Sequence, residues 1–155
     1  MKVKTRHFGE IDLDESKTIY FENGIMGFED YKRYILLYDE EEGKKPDISW
    51  LQSLDEEALS IPVISPFIVH PDYNPEVDDE QLIPLGKLND ENMILLVSIT
   101  VPSEIEKISS NIKAPFIINS DTRRGAQIIA ENSDYEVKYN FYDQLIAYKA
   151  AKEGK

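Results

Sequence analysis

Proton transfer near neutral pH is the work of histidine, and the chain has two, His7 and His70. His7 ends the alternating stretch Val3 to His7, where a surface or sheet-paired position is the plainer reading. His70 opens the loop His70-Pro71-Asp72-Tyr73, where it could share a cleft with Asp72, Glu76 or Asp78 and serve a small hydrolase. One histidine among scattered carboxylates lacks both a spaced nucleophile and the dense ligand set of a metal site. No cysteine is present, which removes thiol nucleophiles, zinc–thiolate sites, iron–sulfur ligation and disulfides together. The expectation is a chain that is not an enzyme and needs neither metal nor cofactor. Pro71 and Pro75 then stiffen a surface turn, and Tyr73 anchors it on the core. Unchanged biological activity in a His70→Ala variant is the expected result, and lost activity with an intact fold would restore the hydrolase.

Other chemistry-bearing patterns are weak. Gly24-Ile25-Met26-Gly27 has two glycines, but neither the third glycine of a dinucleotide loop nor a Gly-Lys-Ser/Thr ending. Its glycines fit a tight turn, with Ile25, Met26 and Phe28 expected to fill the core beneath it. Asp78-Asp79-Glu80 lacks the alternation of a calcium loop around a central glycine and reads as solvated. Arg123-Arg124 beside Gly125 could pair with a partner's carboxylates or simply decorate a hairpin end.

The net charge of −13 opposes binding to nucleic-acid phosphates or anionic lipid. It is also uneven: residues 1–80 carry 20 acidic and 8 basic side chains, residues 81–155 carry 10 and 9. The first half could steer a basic partner, while the plainer reading is a solvated, solubilising face. An acidic mimic of nucleic acid, seated in a basic groove, is a further alternative. The basic start, Met1 to His7, runs into Gly9, Glu10 and Asp12 instead of an apolar stretch, so no signal peptide is expected. The longest apolar run, Met93 to Val97, falls far short of the roughly 20 residues that cross a bilayer. A cytoplasmic protein without membrane contact is the expectation.

These residues need a scaffold, and the patterning specifies strands. Alternation predicts strands over Val3 to His7, Ile11 to Leu13 and Thr18 to Phe21, the last closed by Asn23-Gly24. Phe28 to Tyr34 has the spacing of a short helix. Further strands are predicted at Tyr34 to Tyr38, Ile48 to Leu54, Ala58 to Ile64, Met93 to Val101, Pro115 to Asn119, Ala126 to Ala130 and Tyr135 to Tyr139. An acidic turn, Asp39 to Gly43, follows the first of these. Pro62 has no amide to donate and belongs at an edge, bulge or strand end. Asp72 to Glu80 reads as loop with at most one helical turn, and Phe141, Leu145 and Tyr148 open a C-terminal helix. The reading is all-β: one compact antiparallel, barrel-like domain over residues 1–140, with short helical turns and a helical tail at 141–155.

Several segments together resemble the bacterial flagellar assembly factor family, over residues 9 to 139. They are Phe21 to Glu29, Trp50-Leu51-Gln52-Ser53-Leu54, Pro66 with Pro71-Asp72-Tyr73, Asn111 to Asn119, and Gln127-Ile128-Ile129. Ile25 and Ile112 stand where the family pattern favours leucine, and Asn23 where an acidic or small residue is usual. The resemblance implies a β-barrel-like protein that binds the carbon storage regulator CsrA, a small RNA-binding repressor, and relieves repression of flagellin translation. It also implies capture by flagellin as a second partner. Matched residue by residue, Asn111, Ile112, Lys113, Ala114, Pro115 and Asn119 would lie at or beneath the partner surface. An Ala-Pro strand entry with asparagine at both ends is equally what a barrel needs to turn a corner. Gly24, Gly27, Phe28, Trp50, Leu51, Gln52, Pro71 and Tyr73 are expected to maintain the fold.

Overall fold

Period-two alternation sends successive side chains to opposite faces of a strand, and in this chain both faces of the central strands are covered. The computed structural model describes residues 1–38 and 47–153; the expected acidic turn Asp39 to Gly43 lies outside the described residues. A hairpin of β1 (Lys2–Thr5) and β2 (Gly9–Asp12) stands apart from the main sheet. Then follow β3 (Ile19–Phe21), β4 (Arg33–Leu37), β5 (Ile48–Ser53), β6 (Ser60–Ile64), a single turn α1 (Pro66–Val69) and a 3-10 segment Asp79–Leu85. The chain continues with β7 (Met93–Thr100), β8 (Ser109–Asn119), β9 (Arg124–Gln127), β10 (Tyr139–Asn140) and α2 (Tyr142–Glu153).

Seven strands close into a barrel in the order β8-β7-β6-β5-β4-β3-β9 and back to β8. Neighbours are antiparallel except at one seam, where β3 and β9 run parallel through Tyr20–Arg124 and Phe21–Gly125. Gly125 is what lets that seam close. A Cβ there would stand 2.9 Å from the Phe21 ring and 3.1 Å from Ile118. One core cluster gathers Phe21, Tyr34, Leu51, Val63, Leu96, Phe116 and Ile118. The alternate residues Ile64, Val97, Ile99 and Ile112 join a second, which α1 and α2 cover with Val69, Phe141 and Leu145. Ile117 enters a third cluster with Leu85 of the 3-10 segment. β8 is thus buried on both faces, which is why Pro115 to Ile118 reads as a continuous apolar run.

The predicted helix over Phe28 to Tyr34 does not form. The Phe21 amide donates to the Lys32 carbonyl at 2.8 Å, so the segment returns as the partner of β3, and β4 begins at Arg33. The predicted strand at Tyr135 to Tyr139 contracts to β10, because Tyr135 turns inward to stack on Tyr73 with ring centroids 4.9 Å apart. Pro62 pairs with Trp50 on one side, and the ladder to β7 has only the Val63–Ser98 and Ile64–Val97 pairs. Pro62 therefore marks a local strand edge. Among the described residues, no helix is long and apolar enough to cross a membrane.

The N-terminal hairpin is fastened to the barrel by Gln52, fully buried in β5. Its Oε1 accepts from the Arg6 amide at 3.0 Å, and its amide nitrogen donates to the carbonyls of Ser53, Glu57 and Leu59. Beside it His7 lies over Trp50, ring centroids 4.0 Å apart. Partial desolvation, and next the adjacent Arg6 charge, hold the His7 pKa below its ordinary 6.5. The folded state therefore disfavours imidazolium: the contribution of this contact is complete above pH 6.5 and declines as pH falls through the lowered pKa. Acidification from pH 7.5 to 5 is expected to change Trp50 emission as the contact loosens, and a His7→Phe variant should give a flat profile.

Candidate functional site

Within β8 the segment Ile112 to Pro115, just after Asn111, leaves the regular ladder. Pairing with β7 jumps from Ser98–Asn111 to Leu96–Phe116, so four residues of β8 stand opposite one of β7. A bulge of that size removes backbone groups from their strand partners, and each must find another. The Asn111 carboxamide oxygen accepts from the amides of Lys113 and Ala114, both at 3.1 Å, and the Ile112 amide donates to the Glu136 carbonyl. Pro115 has no amide to satisfy. The four carbonyls accept in turn from the Tyr73 hydroxyl at 2.7 Å, the Ala130 amide, the Gln127 side chain at 3.1 Å and the Ile128 amide. Every backbone group from Ile112 to Pro115 is paired.

Gln127 carries this scaffold to the surface. While its nitrogen holds the Ala114 carbonyl, its Oε1 accepts from the Met26 amide at 2.9 Å, clamping the turn after β3 against β9. Gly24 and Gly27 of that turn have φ of +69° and +89°. At Gly24 an added Cβ would lie 2.6 Å from the Glu29 backbone, so only glycine fits. Between this turn, β9 and the segment Asp79–Leu85 runs a groove of about 380 Å³, lined by Tyr20, Met26, Pro84, Ala126 and Ile129. Glu22, Glu80 and Arg124 supply its charges. Met26 is 44% exposed, Ile129 57%, and Ile83 on the neighbouring 3-10 segment 71%. Exposed apolar side chains around a shaped groove with a charged rim are the anatomy of a protein-docking surface.

A family model described as "FliW protein" matches residues 2–141. The chain belongs to the FliW family. It is 47% identical over 145 residues to the flagellar assembly factor FliW of Lachnoclostridium phytofermentans, covering 94% of this chain and 93% of that protein. Identity is also 47% over 146 residues with the Lachnospira eligens flagellar assembly factor FliW, covering 94% and 97%. A crystal structure of the flagellar assembly factor FliW superposes with a TM-score of 0.82 at 31% identity, covering 91% of this chain and 96% of that one.

Seen on this FliW-family barrel, the expected partner residues divide. Ile112, Ala114, Pro115 and Asn119 are buried, while Asn111 and Lys113 are half-buried. Asn119 grips the Leu85 and Lys87 carbonyls and accepts from the Asp121 and Thr122 amides, fixing the 3-10 segment beside the hairpin. Lys113 is tied to the Asn132 carbonyl at 2.7 Å. None of these residues lines the groove; Ala114, Pro115 and Asn119 hold its lining residues Gln127, Ile128 and Leu85, while Asn111, Ile112 and Lys113 are tied up within the bulge and its supports. Leu51 and Gln52 are buried in the barrel and Trp50 is half-buried beside His7. The turn corrects one expectation: Ile25 is buried, but Met26 and the 42% exposed Phe28 face outward, because the two left-handed glycines reverse the chain on either side of Met26. Pro71 is exposed, and Tyr73 is buried with its hydroxyl on Ile112.

His70 and Asp72 are not brought together. The His70 ring packs among Tyr73, Tyr135 and Tyr139, while Asp72 is exposed. Asp78 accepts from the Glu80 amide and starts the 3-10 segment. Arg124 reaches the groove, whereas Arg123 donates to the Lys17 carbonyl. Two elements went unread in the sequence: Gln127 as the link between turn and bulge, and Ile83 as exposed apolar surface. Gln127 had a signal, a polar residue at a strand position otherwise matched to the family.

If Asn111 closes the bulge, Asn111→Ala leaves two amides unsatisfied at about 1–3 kcal/mol each. Urea denaturation should show a loss of roughly 2–3 kcal/mol, largely recovered in Asn111→Asp, which keeps the acceptor. Equal stability of Asn111→Ala and wild type would refute the role.

Proposed function

We propose that this chain is a cytoplasmic flagellar assembly factor that acts by binding proteins: it sequesters a CsrA-type translational regulator, relieving repression of flagellin translation, and is itself captured by flagellin. Membership of the FliW family and the likeness to proteins named as flagellar assembly factors support the reading. The observation that carries it for the regulator is the groove with outward Met26 and Ile129, Ile83 exposed on the neighbouring 3-10 segment, and a rim of Glu22, Glu80 and Arg124 in which carboxylates outnumber the guanidinium. An RNA-binding repressor presents basic surface, and a chain of net charge −13 draws such a partner in before apolar contact anchors it. Ala114, Pro115 and Asn119 serve this surface by holding Gln127, Ile128 and Leu85 of its lining, and Asn111, Ile112 and Lys113 keep the bulge in shape behind them. Substituting them would unfold the site, so the informative variants are the outward apolar residues.

The test is calorimetric titration with the regulator and with flagellin separately, at low and high salt. Both should bind. A Met26→Ser, Ile129→Ser double variant with an unchanged melting temperature should bind the regulator at least about tenfold more weakly, as loss of a buried anchor produces. High salt should weaken binding mainly through slower association. A folded protein that binds neither partner would end this reading. A stable ternary complex with the regulator and its RNA would exclude direct mimicry of nucleic acid.

A further inference from the structure

Most asparagine side chains of this chain are occupied. Asn89, Asn92, Asn111, Asn119, Asn132 and Asn140 all use their carboxamides in hydrogen bonds. Asn74 precedes Pro75, which has no backbone amide. Asn23 is left: it is exposed, its carboxamide makes no hydrogen bond among the described residues, and it precedes Gly24 in the single Asn-Gly step of the sequence. A free carboxamide followed by an amide that carries no side chain is the arrangement for intramolecular imide formation. The Gly24 nitrogen, deprotonated by hydroxide, bonds to the Asn23 side-chain carbonyl carbon; the bond to the carboxamide nitrogen breaks, and ammonia leaves. Water then opens the cyclic imide. Attack at the side-chain carbonyl gives aspartate, and attack at the main-chain carbonyl gives isoaspartate, in which the chain runs on through the side-chain carbon.

The fold opposes the first step. Gly24 is buried, and its amide donates to the Phe21 carbonyl at 2.9 Å, which commits the nucleophile elsewhere. The turn around it is held shut by the Phe28 amide on the Ile25 carbonyl at 2.7 Å and by Gln127 on the Met26 amide at 2.9 Å. Reaction therefore waits on local opening of the turn. The two products then differ in what they leave behind. Aspartate keeps the backbone and adds a carboxylate beside Glu22 in the groove that Asn23 lines. Isoaspartate lengthens the backbone immediately before Gly24, where a single added carbon would already stand 2.6 Å from the Glu29 backbone. We propose that Asn23 is a deamidation site gated by this turn, and that the isoaspartyl product dismantles the groove wall while the aspartyl product leaves it standing. The docking surface thus carries a one-way ageing mark whose rate reports how often the turn opens. The consequence for regulator binding rests on the function proposed above; the site and its gate do not.

The test incubates the full-length protein in mildly alkaline buffer and follows it by peptide mapping. The mass gain of an amide-to-acid exchange should come at Asn23 before any other asparagine, at least about tenfold more slowly than in the same chain unfolded in urea. Hydrogen exchange of the Gly24 amide needs the same opening and should be slowed by a similar factor. Gln127→Ala, which releases the Met26 amide, should speed both; if that variant does not fold, the comparison with the unfolded chain decides. In the isoaspartyl fraction, isolated and identified by an isoaspartyl methyltransferase, the Met26 amide should lose its exchange protection and the regulator should bind at least about tenfold more weakly. Asn23→Asp should keep both. Faster reaction at another asparagine, equal rates in the folded and unfolded chain, or an isoaspartyl fraction with Met26 still protected would overturn the proposal. If fresh protein binds no regulator, the proposed function falls, and the mass and exchange readouts alone decide the fate of this site.

Discussion

The Asn111 side chain bonding to the amides of Lys113 and Ala114 is the contact on which the rest of the molecule turns. Strand β8 must change neighbours along one edge: β10 pairs with its first two residues, β9 with its last four. Between them lies the bulge, whose carbonyls point away from β7 and would be costly if buried unpaired. Closing two of its amides from within leaves those carbonyls free to collect donors from two other parts of the chain, Tyr73 and the segment from Gln127 to Ala130. Proline at position 115 is then consistent with the geometry, since an amide there would need a partner of its own.

The barrel closes under the same constraint. β9 can lie parallel to β3 only because Gly125 yields to the Phe21 ring, and Gln127 two residues later takes over from the ladder by holding the Met26 amide. Backbone pairing gives way to a side-chain clamp at the point where the groove opens. The groove is therefore a consequence of how the barrel seam ends, with the turn and β9 tied together by Gln127.

The strands could be read from the sequence where alternation survives, as in β1 and β3, or where an apolar run covers both faces, as in β4 and β7. The short ones failed where long-range contacts decide. Tyr135 belongs to no ladder because Tyr73, distant in sequence, offers its ring, and Phe28 to Tyr34 has helical spacing that the β3–β4 pairing overrides. The length of β8 was half visible: Pro115 to Asn119 is apolar, but Ser109 to Lys113 is polar in sequence and buried only because its hydroxyl and amides find partners, as Ser110 does on the Ser98 carbonyl. Of the site, the matching residues were legible as a set. Their division into floor and surface was not, because periodicity cannot tell a buried asparagine that satisfies two amides from an exposed one that meets a partner.

Topology also resolves a tension in the charge distribution. The acidic excess lies in residues 1–80, whereas the matched motif around Pro115 lies in the near-neutral remainder. The groove takes one wall from each: Glu22 and Glu80 come from the acidic part, Arg124 to Ile129 from the other. Steering acts over a Debye length of about 8 Å at physiological salt and needs only that the carboxylates surround the entrance. Anchoring acts at contact distance and needs Met26 and Ile129 to stay outward, which the two glycines and Gln127 enforce. On the proposed function different residues carry the two effects, so salt should alter the rate of encounter while substitution of the apolar pair alters the lifetime of the complex.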